Sequence, residues 1–225
     1  MTICKRVYPV MNNIRFVLCL FSLVGLQLMA PSEGRSIAGQ TPAPIKYKID
    51  ASESRFTVRA FAGGLLSAFG HDHTIAIRDF SGDAVITPSS FTPASLRLTI
   101  KADSLAVTDK VSDKDRDEIQ TTMKNSVLET GKYPDIVFNS TEASGERIGE
   151  GGYRVRISGD LTLHGVTRQI AINATVDFSA GALRAKGEFP VKQTDYKITP
   201  VSAAGGTVKV KDELKLSFDI AAKQQ

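Results

Sequence analysis

Apolar residues recur at every second position along most of the chain after residue 55. Arg, Lys, Thr, Asp and Ser fill the positions between them, so each segment is expected to form a strand with one buried and one solvated face. Turn-forming residues such as Pro93 and Gly205 separate the segments. Many short strands at this spacing predict an all-β fold, either an antiparallel sandwich or a barrel. The ten alternating runs are residues 56–60, 80–86, 96–102, 136–138, 153–157, 161–163, 170–178, 183–185, 208–210 and 214–220.

The segment 108–130 interrupts this alternation, because it is polar and rich in helix-forming residues. Ser112 precedes Asp115 by three residues, a variant of the capping box that begins helices. Ile119 and Met123 lie one helical turn apart. We predict one short amphipathic helix between strands. It serves either as a lid over one end of a barrel or as a crossover helix that covers a sheet edge.

The N-terminus has the composition of a secretion signal. Arg15 precedes an apolar run over residues 16–30, which is shorter than the roughly 20 apolar residues that span a bilayer. Met11 is an alternative start, and cleavage after Ala38 is favoured slightly over cleavage after Ala30. We therefore assign residues 1–38 to a signal peptide and residues 39–225 to a single domain that is periplasmic or secreted.

Removal of the signal changes the composition of the domain that remains. The whole chain carries a formal net charge of +4, but residues 1–38 hold four basic residues against one acid. The mature domain is then nearly neutral and its charges are interspersed, so nucleic-acid binding is not expected. Cys4 and Cys19 leave with the signal, so the domain has no disulfide and depends on its apolar core.

The sequence lacks the common phosphate-binding and nucleophile motifs. All three histidines, His71, His73 and His164, form the one candidate reactive set. In an extended segment His71 and His73 project from one face, the spacing at which two strand histidines and a third ligand hold a metal ion. A hydrogen-bonded histidine at a strand end is the alternative for each. A metal-dependent enzyme built on these residues is kept as the alternative function.

Several segments, in order across nearly the whole domain, carry a resemblance to a known family. The most specific are Lys132-Tyr-Pro-Asp-Ile-Val-Phe-Asn-Ser140 and Gly159-Asp-Leu-Thr-Leu-His-Gly-Val-Thr167. Tyr47-Lys-Ile-Asp50, Gly70-His71 and Val210-Lys-Asp-Glu-Leu-Lys-Leu-Ser-Phe218 flank them. With these segments the chain resembles the YceI-like family of exported proteins that bind polyisoprenoids.

The resemblance implies an antiparallel, lipocalin-like β-barrel of about eight strands around a long apolar pocket. A barrel of this size encloses one small ligand or is filled by its own side chains. The expected partner is an isoprenoid-type lipid or quinone, held as a quinone-like tail or a prenyl phosphate. We expect no catalysis and no cofactor, and a homodimer is left open. The predicted ligand-binding residues are Phe56, Val58, Phe80, Ala84, Leu98, Phe138, Leu163, His164, Ile172, Ala174, Phe178 and His71.

Small residues on the inward faces support a pocket rather than a filled interior. Some layers of the barrel are expected to be under-filled unless a guest occupies them, and an isoprenoid chain fits because its burial needs no polar partner. The alternative is that small residues accommodate neighbouring Phe and Leu side chains. A polar head group is expected at the mouth, near His71, His164 or Arg78. The small inward residues are Ala60, Gly82, Ala84, Ala102, Ala174 and Ala185.

Overall fold

The computed structural model describes residues 43–64, 71–87, 90–203, 205 and 207–225. The predicted signal peptide, residues 1–38, and its cleavage site lie outside the described residues.

Thirteen strands, one α-helix and three short helical turns make up the described part of the chain. The strands are β1 Ile45–Ala60, β2 Ala62–Gly63, β3 His73–Ile77, β4 Phe80–Ile86, β5 Ala94–Lys101, β6 Leu105–Val107, β7 Asp135–Arg147, β8 Gly152–Leu163, β9 Val166–Ser179, β10 Ala182–Lys192, β11 Ser202–Ala203, β12 Val208–Val210 and β13 Glu213–Gln224. The helix α1 is Asp113–Thr122, followed by a π-helical turn, Met123–Val127. The two 3₁₀ turns are Ala102–Ser104 and Thr194–Tyr196.

Eight long strands close into an antiparallel barrel, which confirms the predicted fold class. Neighbouring strands follow the order β13, β10, β9, β8, β7, β5, β4 and β1, and β1 pairs again with β13. The short strands β3 and β6 continue this sheet beside the second half of β1. Strands β11, β12 and β2 form a separate three-stranded sheet. Because the barrel is closed, each of its eight strands has a paired neighbour on both sides over at least part of its length.

A bulge in β1 separates two halves that pair with different strands on one side, while β13 pairs with both halves on the other. Asp50 pairs with Ala221 and Arg55 with Asp219, so four residues of β1 lie opposite Ile220 alone. Asp50 stabilises the bulge by accepting hydrogen bonds from the backbone N–H and hydroxyl of Ser52 at 3.1 and 2.5 Å. Bulges of this kind bend a strand and increase its twist. Before the bulge β1 pairs with β4, and after it β1 pairs with β3.

The helix begins where the sequence predicts. The Ser112 hydroxyl accepts a hydrogen bond from the backbone N–H of Asp115 at 3.1 Å, which satisfies one of the unpaired donors of the first turn. The Gln120 side chain accepts a hydrogen bond from the Val107 N–H of β6 at 3.3 Å. Ile119 and Met123 line the interior of the barrel. The helix therefore closes one barrel end and also satisfies part of the β6 edge, so both predicted roles apply.

Candidate functional site: the apolar cavity of the barrel

The barrel encloses a cavity of about 610 Å³. Inward residues of all eight barrel strands line it, together with α1 and the π-helical turn. The polar residues of the lining are His73, Ser95, Glu118, Thr122, Ser140 and Gln193. A cavity of this volume is within the range of small-molecule sites, roughly 300 to 1,000 Å³. An apolar wall gives water few hydrogen-bonding partners, so this space suits an apolar guest.

Eight of the twelve predicted ligand-binding residues lie in the cavity wall. They are Phe56, Val58, Ala84, Leu98, Phe138, Leu163, Ile172 and Ala174. Phe80 is buried but does not line the cavity. Its ring packs edge-on against the ring of Phe56, with the two centroids 6.2 Å apart. Phe178, His71 and His164 are also outside the lining. Contact of any of these residues with a ligand stays a prediction.

The six small residues predicted to face inward fall into three groups in the structure. Ala60, Ala84, Ala174 and Ala185 line the cavity, as expected for residues that leave space for a guest. A Cβ atom at Gly82 would lie 2.5 Å from the carbonyl oxygen of Arg97 on the adjacent strand. Gly82 thus allows close strand approach and leaves no usable space. Ala102 lies in a 3₁₀ turn beyond β5 and does not line the cavity.

Aromatic side chains close the end of the cavity opposite the helix. Phe91 is buried and packs against Tyr153 and Phe178, with ring centroids 5.2 and 6.2 Å apart. Tyr47 completes the group at 6.1 Å from Phe178. A Cβ atom at Gly145 would overlap the Phe91 ring, so the ring needs a glycine at that position. Phe91 lies in the loop between β4 and β5, where the two-residue alternation gives no signal, and it was not predicted.

The helix end of the cavity carries most of its polar groups. His73, Glu118 and Thr122 lie there with Gln193, whose side-chain amide donates to the carbonyl oxygen of Lys211 at 2.9 Å. The Nδ1 of His73 lies 2.9 Å from Oδ2 of Asp109. His73 was predicted either as a metal ligand of the alternative function or as a hydrogen-bonded histidine at a strand end, and it lies at the first residue of β3 beside Asp109.

The family assignment agrees with this geometry. The model of the YceI-like domain matches residues 47–222, which includes every strand of the closed barrel in whole or in part. The chain belongs to the YceI-like family. The resemblance predicted from the sequence is therefore confirmed.

Relatives of this YceI-like chain include a UPF0312 protein of Shewanella baltica, 26% identical over 156 residues. That match covers 69% of this chain and 70% of the relative. A UPF0312 protein of Photorhabdus laumondii is 27% identical over 161 residues, with 67% of this chain and 76% of the relative covered.

Two solved structures share the fold. BcnA of Burkholderia cenocepacia is 18% identical with a TM-score of 0.58, and the match covers 78% of this chain and 99% of BcnA. A polyisoprenoid-binding domain of Saccharophagus degradans is 18% identical with a TM-score of 0.57, covering 80% of this chain and 99% of that domain.

His164 occupies the tight turn between β8 and β9 of the YceI-like domain. His164 and Gly165 both have positive φ, 51° and 71°, as in the two-residue type I′ hairpin. The imidazole lies 2.6 Å from Glu129 Oε2 through Nε2 and 3.2 Å from the Tyr196 carbonyl oxygen through Nδ1. The Tyr133 ring packs on it at 4.5 Å. His164 thus joins three separate parts of the chain and faces away from the cavity lining.

The three histidines do not form one site in this domain. His73 pairs with Asp109 and His164 with Glu129, while His71 is exposed ahead of β3. Across residues 43–64, 71–87, 90–203, 205 and 207–225, no three His, Cys, Asp or Glu side chains are grouped to hold a metal ion. The geometry therefore gives no support to the metal-dependent alternative. In the same part of the chain, no helix is long and apolar enough to cross a bilayer.

Proposed function

We propose that this YceI-like domain binds the chain of a polyisoprenoid lipid inside its barrel and acts as a carrier. The observation that carries the proposal is the apolar cavity of about 610 Å³ inside the barrel. Burial of each CH₂ group contributes about 0.8 kcal/mol, and a lipid chain leaves no polar group unpaired in the wall. Several such groups offset the loss of translational freedom on binding, so affinity grows with the buried length.

The alanine positions of the wall support this use of the cavity. Ala84 and Ala174 are buried and line the cavity, and their short side chains fill little of its volume. A guest chain in a volume of this size makes dispersion contacts with the side chains of the wall. The fold neighbour from Saccharophagus degradans is described as a polyisoprenoid-binding domain, which agrees with the proposal.

The finer parts of the proposal concern ligand and location. The ligand is a quinone-like lipid or another prenylated lipid, and the domain acts in the periplasm or outside the cell after removal of residues 1–38. Intact-mass measurement of the protein in the periplasmic fraction tests the location: the chain is expected to begin between residues 31 and 41. A cytoplasmic protein that keeps Met1 or Met11 would contradict it. Size-exclusion chromatography with light scattering tests whether the domain forms a homodimer.

Mass spectrometry of the bound lipid tests the central proposal. The mature protein is purified without detergent and its organic extract is analysed beside that of an unrelated periplasmic protein carried through the same steps. We expect near-stoichiometric isoprenoid lipid in the first extract alone. An empty extract, together with failure of the purified domain to take up prenyl lipids in vitro, would contradict lipid binding.

A further inference from the structure

Among the polar groups at the helix end of the cavity, one side chain has hydrogen-bonding roles that the structure defines. His73 of β3 pairs with Ala60 of β1, in the same inward-facing row as the pair of Ile75 and Val58. All four residues line the cavity. The imidazole of His73 therefore belongs to the inner wall at the helix end of the barrel, where the head group of a bound chain would lie.

Asp109 determines which nitrogen of His73 carries the hydrogen. Its Oδ1 accepts the Thr74 N–H at 2.9 Å, and its Oδ2 lies 2.9 Å from His73 Nδ1. The Arg116 guanidinium donates to the Asp109 backbone oxygen at 3.1 Å and helps to hold this residue in place. A carboxylate only accepts, so Nδ1 is the donor, and in the neutral imidazole Nε2 is then an acceptor. Among the described residues, Nε2 has no hydrogen-bond partner, which leaves it to a guest.

The charge at this end disfavours an anionic head group. Glu118 contributes a second carboxylate to the lining beside the pair formed by His73 and Asp109. Glu118 lies 3.7 Å from Lys114, and because both side chains are largely exposed, solvent screens both charges and the pair contributes little to the selection. An ionised phosphate at His73 would meet the Nε2 lone pair of a ring already paired with the Asp109 carboxylate, and its oxygens would find no hydrogen there. An ether or carbonyl oxygen would also meet the lone pair without a hydrogen to donate.

We infer that this end of the cavity selects a head group bearing a hydroxyl, which donates its hydrogen to His73 Nε2. The chemical class is a neutral prenyl hydroxyl: the alcohol of a polyprenol or the phenolic hydroxyl of a prenylated hydroquinone. The inference rests on the proposed function, since it places the chain of the lipid in the cavity. The inferred selection favours a hydroxyl-bearing lipid over a prenyl phosphate and over an oxidised quinone, whose ring oxygens only accept hydrogen bonds.

Titration with three probes of equal chain length tests the selection. Geranylgeraniol, its methyl ether and its monophosphate are titrated into lipid-free protein in one buffer. We expect the wild type to bind the alcohol about 2- to 10-fold more tightly than the ether, the range of one net hydrogen bond, and the phosphate most weakly. A prenylated hydroquinone and its quinone, compared under reducing and oxidising conditions, distinguish the two sources of the hydroxyl.

Asp109→Asn gives the sharpest variant. The Asn side-chain oxygen still accepts the hydrogen bond from the Thr74 N–H, so its NH₂ group faces Nδ1 of His73. Nδ1 must then accept, and the neutral ring carries its hydrogen on Nε2. An alcohol and an ether both accept a hydrogen bond, so the advantage of the alcohol should disappear. His73→Phe should remove it as well while the chain still binds. Asp83→Asn, at a solvent-facing position of β4, is the matched control and should keep the wild-type preference.

The outcomes separate the two proposals. Equal wild-type affinity for alcohol and ether, or tightest binding of the phosphate, would overturn the head-group inference while chain binding stands. Persistence of the preference in both Asp109→Asn and His73→Phe would also overturn it. Failure of all three probes to bind would overturn the proposed function and this inference together.

Discussion

The Nε2 atom of His164 lies 2.6 Å from Oε2 of Glu129. The other ring nitrogen faces the carbonyl oxygen of Tyr196, so both nitrogens point at acceptors, and both bonds are made when each nitrogen carries a hydrogen. These contacts hold the β8–β9 turn to the segment after the π-helical turn and to the 3₁₀ turn before β11. His164 therefore stabilises the barrel end near the helix and does not contact the cavity.

Replacing His164 with Asn should destabilise the domain without loss of lipid. Asn with Gly165 suits a type I′ turn, so the hairpin is kept and only the contacts with Glu129, Tyr196 and Tyr133 are removed. We expect a loss of about 1–3 kcal/mol in the free energy of unfolding, measured by urea denaturation. His71→Ala, at an exposed histidine, is the control and should leave stability unchanged. Unaltered stability with lost lipid in His164→Asn would favour the predicted ligand contact instead.

Phe91 should limit the length of the chain that the cavity admits. Truncation in Phe91→Ala opens the aromatic end, so the extracted lipids should shift toward longer chains, which liquid chromatography with mass spectrometry detects. The same change should reduce the free energy of unfolding by about 3–5 kcal/mol, because Phe91 is 3% exposed. Phe61→Ala, at a ring that packs under Arg59 and Lys211, controls for loss of an aromatic side chain elsewhere. If both variants carry lipids of the same chain lengths as the wild type, Phe91 does not limit the length of the bound chain.

Tyr196→Phe should leave the domain as stable as the wild type or about 1 kcal/mol more stable. The Tyr196 hydroxyl oxygen is buried without a hydrogen-bond partner in the described part of the chain, and an unpaired buried polar group is destabilising. The same burial raises the pKa of Tyr196 above its usual value. Thermal melting of the two proteins compares them directly. A clear loss of stability in Tyr196→Phe would mean that the hydroxyl has a partner in solution.

The bulge in β1 depends on the ionised form of Asp50. The hydrogen bond from Lys223 at 2.7 Å, with those from Ser52, lowers the pKa of Asp50 to about 2 from its usual 3.8. A lowered pKa means that this contribution to stability is present above pH 3.8 and is lost as the pH falls toward 2. Lys223→Met should raise the pKa of Asp50, as measured by NMR titration of its carboxyl carbon. A pKa that stays near 2 in Lys223→Met would assign the shift to Ser52.

Sequence periodicity predicted the barrel strands well where one face is buried. The runs 153–157 and 161–163 proved to be one strand, β8, because Gly159 interrupts the alternation without ending the strand. The second half of β7 was missed because its residues are largely exposed and carry no apolar alternation. Strand β3 was also missed, although His73, Ile75 and Ile77 alternate over its five residues.

The sequence predicts many residues of the cavity wall but not the residues that lie at its two ends. Strand alternation identifies inward residues such as Ile172 and Ala174, since the side-chain period of a strand is two. Phe91 lies in a loop, and its place at the closed end depends on contacts with β7, β8 and β9. The partners of His73 and His164 are 36 and 35 residues away in the chain, so only the tertiary fold brings each pair together.

Enlargement of the small wall residues tests lipid binding in the barrel most directly. Ala174→Phe and Ala84→Leu place new side chains in the space assigned to the guest, whereas Ala171→Phe adds the same ring to the outer face of β9 as a matched control. The measurement is native mass spectrometry of lipid occupancy in the three variants and the wild type, with thermal melts of the lipid-free proteins alongside.

We expect Ala174→Phe and Ala84→Leu to lose most of their bound lipid while Ala171→Phe keeps it. Overpacking a filled core is destabilising by about 1–3 kcal/mol, but a side chain that enters an existing cavity should leave the lipid-free protein nearly as stable as the wild type. Loss of stability in both inward variants, with no lipid in any sample, would contradict the account, because the interior would then be a solid core.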